Sequence, residues 1–187
     1  MCSFFVKKGE ENMDRKKAVE QLLQDYLERG EIKRIISALE ELGFFEAPAS
    51  TKYHGAYEGG LFDHSYAVTR ELMRLTEDLD LKWERPESPI IVGIMHDLCK
   101  HDTYKFDKEL NVFVYNTEAD SRHGEKSAEL AQLIIPLTEE ERTCIRWHMG
   151  AYDQKENWGP LGQAIKEFHN VLWTHTADMV ASQFLGI

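Results

Sequence analysis

Cations are scarce in this chain of 187 residues: 22 Lys and Arg stand against 33 Asp and Glu, a formal net charge of −11. A surface this acidic repels a phosphodiester backbone, so non-specific binding of long nucleic acids is excluded as a main task. Cysteine is also sparse. Cys2, Cys99 and Cys144 are odd in number, widely spaced and without a C-x-x-C pair, which excludes a disulfide framework and a thiolate zinc knot. No apolar run approaches the length of a membrane span, and Phe4-Phe5-Val6 is far too short for a signal-peptide core. A cytoplasmic protein is therefore expected. The chain carries no G-x-S-x-G elbow, no P-loop and no G-x-G-x-x-G turn, which removes the common serine-hydrolase, nucleotide-triphosphatase and dinucleotide readings.

What is present is helical periodicity. Residues 1–13 read as a leader outside the core and 14–187 as a single domain. Asp14 is placed to cap a first helix with Val19, Leu22, Leu23, Tyr26 and Leu27 on its apolar side, broken by Gly30. Ile32, Ile35, Ile36, Leu39 and Leu42 define a second, ended by Gly43. The glycine- and aromatic-rich stretch 44–60 predicts a loop that packs down. A helix over about 61–79 follows, and then the nearly continuous apolar run Ile90-Ile91…Ile94-Met95…Leu98, the mark of a buried helix. The stretches 103–106 and 112–115 predict a small β-hairpin. Helices resume over about 123–135, 138–148 and 160–184, with Thr138 and Glu141 spaced as a capping box. The expected fold class is all-α, a helical bundle with one small β-hairpin insertion.

Chemistry concentrates at helix ends. His64 opens one helix, His96 and Asp97 close another, His123 begins a third, His148 ends a fourth and Asp178 lies within a fifth. Ligands at the ends of packed helices can converge on one point. A set of imidazoles and carboxylates without thiolates suits Mn, Fe, Co, Ni or Zn. Six ligands exceed what one tetrahedral ion needs; two ions sharing Asp97 would use them all, and a metal pair can clamp a phosphoryl group for in-line attack by a bridging hydroxide. Each histidine taken alone has an ordinary structural reading as well. Cys99 follows a buried apolar run, a poor place for a reactive thiolate, and is discounted as a nucleophile.

The order His…His-Asp…His…His…Asp resembles the HD-domain metal-dependent phosphohydrolase superfamily. The resemblance rests on Glu58-Gly59-Gly60-Leu61-Phe62-Asp63-His64-Ser65, His96-Asp97-Leu98-Cys99-Lys100, His123-Gly124-Glu125-Lys126-Ser127, Arg146-Trp147-His148-Met149-Gly150 and His175-Thr176-Ala177-Asp178. It is nearest to a bacterial branch related to the HD domain of a 3′–5′ exoribonuclease, and it covers roughly residues 30–185. It implies an HD-type bundle in which His64, His96, Asp97 and Asp178 hold a first divalent ion. Asp97 would bridge to a second ion, completed by His123 and His148. Asp97 and Lys100 would carry the chemistry, with Lys100 neutralising charge on the phosphate. Cys99 stands where many members carry glycine, and no counterpart of the exoribonuclease's nucleic-acid-binding domain is expected within these residues. The implied substrate is a phosphomonoester or phosphodiester, a nucleotide or a short single-stranded nucleic-acid end. His54, Lys126 and Arg146 are candidate substrate contacts, and His175 could support Asp178 through a hydrogen bond. Trp147, Trp158, Phe168 and Trp173 could stack on a base but fit a core equally well. The acidic run Glu139-Glu140-Glu141 reads as a solvated face. A non-catalytic nucleotide sensor and a di-iron oxygenase are the alternatives.

Overall fold

A computed structural model describes residues 14–53 and 55–187, so the expected leader and His54 lie outside the described residues. Helix α1, Arg15–Leu23, starts where Asp14 accepts the Lys17 amide at 3.1 Å and buries Val19, Leu22 and Leu23. It stops well before Gly30. That glycine instead falls in the first turn of α2, Arg29–Glu41. First-turn amides lack a partner within the helix, so glycine there costs little, and the Glu28 amide is taken up by the Glu31 carboxylate at 3.4 Å. Gly43, at φ +75°, ends α2, and Phe44 and Phe45 turn inward onto Phe62. The 44–60 loop packs down as expected, with Ala47, Pro48, Ala49, Ser50 and Gly55 buried, but Tyr53 and Tyr57 are exposed.

The heart of the bundle is α3, Gly60–Asp78, against α4, Ser88–Met95. Every residue of α4 is buried, matching its unbroken hydropathy. The two helices meet at Gly93, where a β-carbon would lie 2.6 Å from the Thr69 α-carbon. Only glycine permits that approach. Past α4 the chain makes a short helix α5, Lys100–Thr103, and then the antiparallel hairpin of β1, Tyr104–Asp107, and β2, Val112–Tyr115. Tyr104 faces Tyr115 and Phe106 faces Phe113, and Asp107 closes the turn by accepting the Glu109 and Leu110 amides.

Helices α6, His123–Ile134, and α7, Glu139–Trp147, make a second close contact, because a β-carbon on Gly124 would sit 2.0 Å from the Arg146 carbonyl oxygen. The Thr138–Glu141 capping box forms. Glu140 and Glu141, however, do not face solvent. Glu141 is fully buried under a two-point ion pair with Arg85 (2.8 and 2.7 Å) and also accepts the Ser88 hydroxyl. Glu140 accepts the Glu84 amide and the Asn170 side chain. These bonds tie α7 to the start of α4.

The expected helix over 160–184 is divided. Helix α8, Trp158–Glu167, ends at an extended Phe168, and α9, Asn170–Met179, begins beyond it. The buried Asn170 amide donates to the Lys82 carbonyl and to Glu140, and this cross-link sets a new axis that side-chain periodicity does not reveal. After Met179 the helix widens to a π-helical turn over Val180–Leu185. The architecture is all-α with one hairpin. Helix α9 packs on α3 and α7, closing the bundle around the ends of α4, α6 and α7. Among the described residues no helix is long and apolar enough to cross a membrane.

Candidate metal centre

Five separate stretches meet at Asp97, which sits in the turn after α4 and is 2% exposed. Its two oxygens face different neighbours. Oδ2 lies 3.4 Å from His64 Nε2, 3.4 Å from His96 Nε2 and 2.7 Å from Lys100 Nζ. Oδ1 lies 2.9 Å from His123 Nε2 and 3.4 Å from His148 Nε2. Asp178, near the end of α9, brings Oδ1 to 3.2 Å from His64 Nε2. All six residues expected as ligands are therefore brought together, and Asp97 divides them into two groups. The close approaches at Gly93 and Gly124 place the groups: the first draws α3 and its His64 against α4 and His96, the second draws His123 toward His148.

Main-chain oxygens orient the rings. His96 Nδ1 donates to the Gly93 carbonyl (2.8 Å) and His148 Nδ1 to the Ile145 carbonyl (2.8 Å), while His64 Nδ1 lies 2.9 Å from a terminal oxygen of Ile187, the last residue of the sequence. These oxygens only accept, so each Nδ1 carries a proton, and each ring in its neutral form would offer Nε2 as a lone pair. The Nε2 atoms point toward two carboxylates and toward each other, with His64 Nε2 and His96 Nε2 just 3.3 Å apart. The buried His148 Nε2 has its nearest carboxylate partner in Asp97 Oδ1, at a long 3.4 Å, and no well-formed hydrogen bond among the described residues. Beside the Lys100 ammonium, this concentration of imidazole nitrogens and carboxylate oxygens is a donor set that fits divalent metal ions.

The electrostatics agree. Burial opposes a charge on Asp97, but Lys100 and the surrounding imidazoles outweigh it and hold the carboxyl well below its usual range. Asp178 is depressed likewise, burial being overcome by His64. Burial would lower His64, yet its bonds to Asp178 and Asp97 raise it to about 9, and Asp97 similarly raises His123. Lys100 is pushed up, Asp97 prevailing over burial. The cavity stabilises positive charge wherever it can find it.

Ligand atoms lie within 4.8 Å of one another in three groups: His64, His96 and Asp178; His96, Asp97 and His148; and Asp97, Cys99 and His123. These clusters could hold metal ions. Cys99 is the participant that sequence reasoning set aside. Its Sγ lies 3.0 Å from His123 Nδ1, and its own amide is held by the Ser127 hydroxyl. The two cysteine and histidine positions are 24 apart in sequence, so no local pattern announces the contact.

The accessory candidates fall outside this cluster. Lys126 is paired with Asp102, and Arg146 with Glu125 and Asp153 while its guanidinium lies 4.2 Å over the Trp147 ring. His175 does not bond Asp178. Its Nδ1 donates to the His148 carbonyl at 2.8 Å, bracing the turn after α7. His101 instead donates to the Leu42 carbonyl. Trp173 and Phe168 pack against the core and line a separate cleft with Asp80, Lys82 and Glu140, whereas Trp158 is about half exposed.

Fold and cluster together define a helical bundle with a buried His/Asp centre suited to metal ions. No protein-family model matches the chain, and no solved structure matches it. A stretch of 62 residues, 32% of the chain, is 37% identical to part of the dihydroneopterin 2′,3′-cyclic phosphate phosphodiesterase of Methanocaldococcus jannaschii. The matched stretch spans 25% of that enzyme's length.

Proposed function

We propose that this protein is a metal-dependent phosphohydrolase of the HD type, acting on a phosphodiester or phosphomonoester of nucleotide size. The observation that carries the reading is the division of Asp97: one oxygen faces His64 and His96, the other faces His123 and His148. A carboxylate so placed suits a bridge between two ions. His64, His96, Asp97 and Asp178 would hold one, and Asp97, His123 and His148 the other. When bound, such a pair supplies Lewis-acid polarisation of the phosphoryl group and lowers the pKa of water.

The chain's own residues do the rest. The carbonyls of Gly93 and Ile145 and the terminal oxygen of Ile187 fix three rings with Nε2 turned inward, so these rings need no reorientation on loading. Lys100 holds its ammonium at the centre and is the group placed to neutralise charge developing on phosphoryl oxygens. Lys126 and Arg146, close in sequence to His123 and His148, are candidate contacts to a second phosphate that would have to compete with their pairing to Asp102, Glu125 and Asp153. The overall acidity favours a small substrate or a strand end over a long duplex. The partial likeness to a cyclic phosphodiesterase supports a diester as substrate, and the likeness to the exoribonuclease branch adds short RNA ends to the candidates.

The test is hydrolysis of aryl phosphate mono- and diesters, 2′,3′-cyclic nucleotides and short oligoribonucleotides by protein loaded with Mn, Co, Ni or Zn, beside Asp97→Ala. Turnover by the native chain and its loss in the variant are expected. Equal inactivity of both across the panel defeats the reading.

A further inference from the structure

The hairpin beside the centre has no core to fill. No residue of β1 or β2 is buried, yet one face of the pair carries four aromatic rings. Side chains alternate along a strand, so Tyr104 and Phe106 share a face, and the register sets Tyr115 and Phe113 opposite them on it. Tyr104 and Tyr115 meet edge to face with ring centroids 6.3 Å apart, Phe106 and Phe113 with centroids 5.2 Å apart. Such pairs steady a hairpin, but they leave Phe106 and Tyr115 exposed. The inner end of this face adjoins the centre. Tyr104 follows Lys100 by four residues, one turn along through α5, and its hydroxyl lies within electrostatic reach of both Lys100 and Asp97. Three hydrogen bonds fix the hairpin in that position. The Asn116 amide donates to the Thr103 carbonyl at 2.8 Å, the Asn116 side chain to the Asp102 carbonyl at 3.0 Å and the Thr103 hydroxyl to the Cys99 carbonyl at 2.8 Å. Charge fits as well. Lys105 and Lys108 balance Asp107 and Glu109, so the hairpin is neutral within a chain of net charge −11, and neither Lys105 nor Asp107 lies on the aromatic face.

We propose that this face is the base-binding platform of the site: the nucleobase beside the reacting phosphate lies against Tyr104 and Tyr115, and the next base of a short single strand lies against Phe106 and Phe113. The proposal rests on the phosphohydrolase reading for the phosphate and adds the part of the substrate that the metal centre does not touch. Successive pairs on one face of a hairpin stand about 6.8 Å apart, two rises of about 3.4 Å, so each pair can serve one base. Every base has a π-face, and stacking on aromatic side chains holds it without reading its sequence. Stacking also needs no cation at the base, which suits an acidic chain whose Lys100 is already engaged at the centre. The platform selects nucleotides over phosphate esters of equal charge that lack a base. Its two pairs suit a mono- or dinucleotide end in place of a long strand.

Titration of the full chain, zinc-loaded and chelated, with adenosine 5′-monophosphate, 5′-phosphorylated diadenylate and ribose 5-phosphate, followed by NMR of the Tyr and Phe rings, tests this. Upfield shifts of Tyr104 and Tyr115 are expected with both adenylates, shifts of Phe106 and Phe113 with diadenylate, and none of these with ribose 5-phosphate. Losing one stacking contact weakens a nucleic-acid ligand roughly 5–100-fold. Tyr115→Val should therefore bring adenosine monophosphate close to the affinity of ribose 5-phosphate, and Phe106→Val should weaken diadenylate more than the monophosphate. Valine keeps the strand propensity of both positions. Tyr115→Trp, which retains a stacking ring, should bind adenylate at least as tightly as the native chain and carries the test if a valine form does not fold. Val112→Thr alters the opposite face of the hairpin and should keep the preference for adenylate over ribose 5-phosphate. Equal affinity of the native chain for adenosine monophosphate and ribose 5-phosphate, no ring shifts in either metal state, or the same loss in Val112→Thr as in Tyr115→Val overturns the proposal. So do ring shifts that follow protein concentration alone, which would make the face a contact between copies of this chain. Base-dependent ring shifts without turnover of any phosphate ester would instead defeat the phosphohydrolase reading and leave the platform standing.

Discussion

Replacing Gly93 by alanine probes the contact on which the centre depends. The added β-carbon would lie 2.4 Å from Thr69 Oγ1 and 2.6 Å from the Thr69 α-carbon. The second of these is backbone, which no side-chain rotation can relieve. Ordinary carbon contacts are about 3.5–4.0 Å, so α3 and α4 must part by about 1 Å. Overpacking of this kind costs about 1–3 kcal/mol, or roughly 3–10 °C in a domain of this size. The same displacement separates His64 on α3 from His96 at the end of α4, whose Nε2 atoms stand 3.3 Å apart. A misplacement of about 1 Å can cost roughly 100-fold in rate. Gly30→Ala is the control: nothing lies within 4 Å of its β-carbon, and in the first turn of α2 it should leave the protein unchanged or stabilise it by up to about 1 kcal/mol. Thermal melts and zinc titration of both variants decide the matter. If Gly93→Ala melts and binds zinc like the native chain, the helix contact does not position the ligands and the reasoning is wrong.

Metal-free protein should lose stability as pH rises. With His64 raised to about 9, the folded state holds its proton more tightly than the unfolded chain. That contribution is complete below about pH 6.5, is lost as pH rises through about 9, and amounts to about 3 kcal/mol; urea melts in the presence of a chelator at pH values across this window check it. Metal binding should strengthen over the same window, since the proton and the ion compete for His64 Nε2, and calorimetry at several pH values reads the trend. Glu141→Ala leaves Arg85 and the Ser88 hydroxyl without their partner and should cost about 3 kcal/mol, seen as a lower melting temperature. Lys126→Ala should raise KM roughly tenfold with kcat little changed if the ammonium meets a substrate phosphate, as steady-state kinetics would show.

Local signals carried most of the secondary structure. The Asp14 cap, the Thr138–Glu141 box and the hairpin depend on residues a few positions apart, and each forms. The misreadings share a cause in tertiary contact. Gly30 sits harmlessly in a first turn, and the break at Phe168 follows from an Asn170 bond to residues far away in sequence. Glu140 and Glu141 look solvated in an acidic run because their partners are far away in sequence, Arg85 in the link between α3 and α4 and Asn170 in α9. The six His and Asp residues were legible as types at helix ends, and their order suggested one centre. Their division across the two oxygens of Asp97, the main-chain oxygen partners of three rings and the thiol behind the fourth depend on folded geometry alone.

The cluster draws on α3, the turn after α4, α6, the end of α7 and α9, so no fragment short of nearly the whole bundle owns it. Ions bound there would act as a clasp on the entire architecture, and at a concentration one hundred times the dissociation constant they would contribute about 2.7 kcal/mol to global stability. Cellular metal scarcity would then govern the abundance of this protein through its turnover as well as its activity. A newly made chain could not acquire its full complement until the last of these helices had left the ribosome.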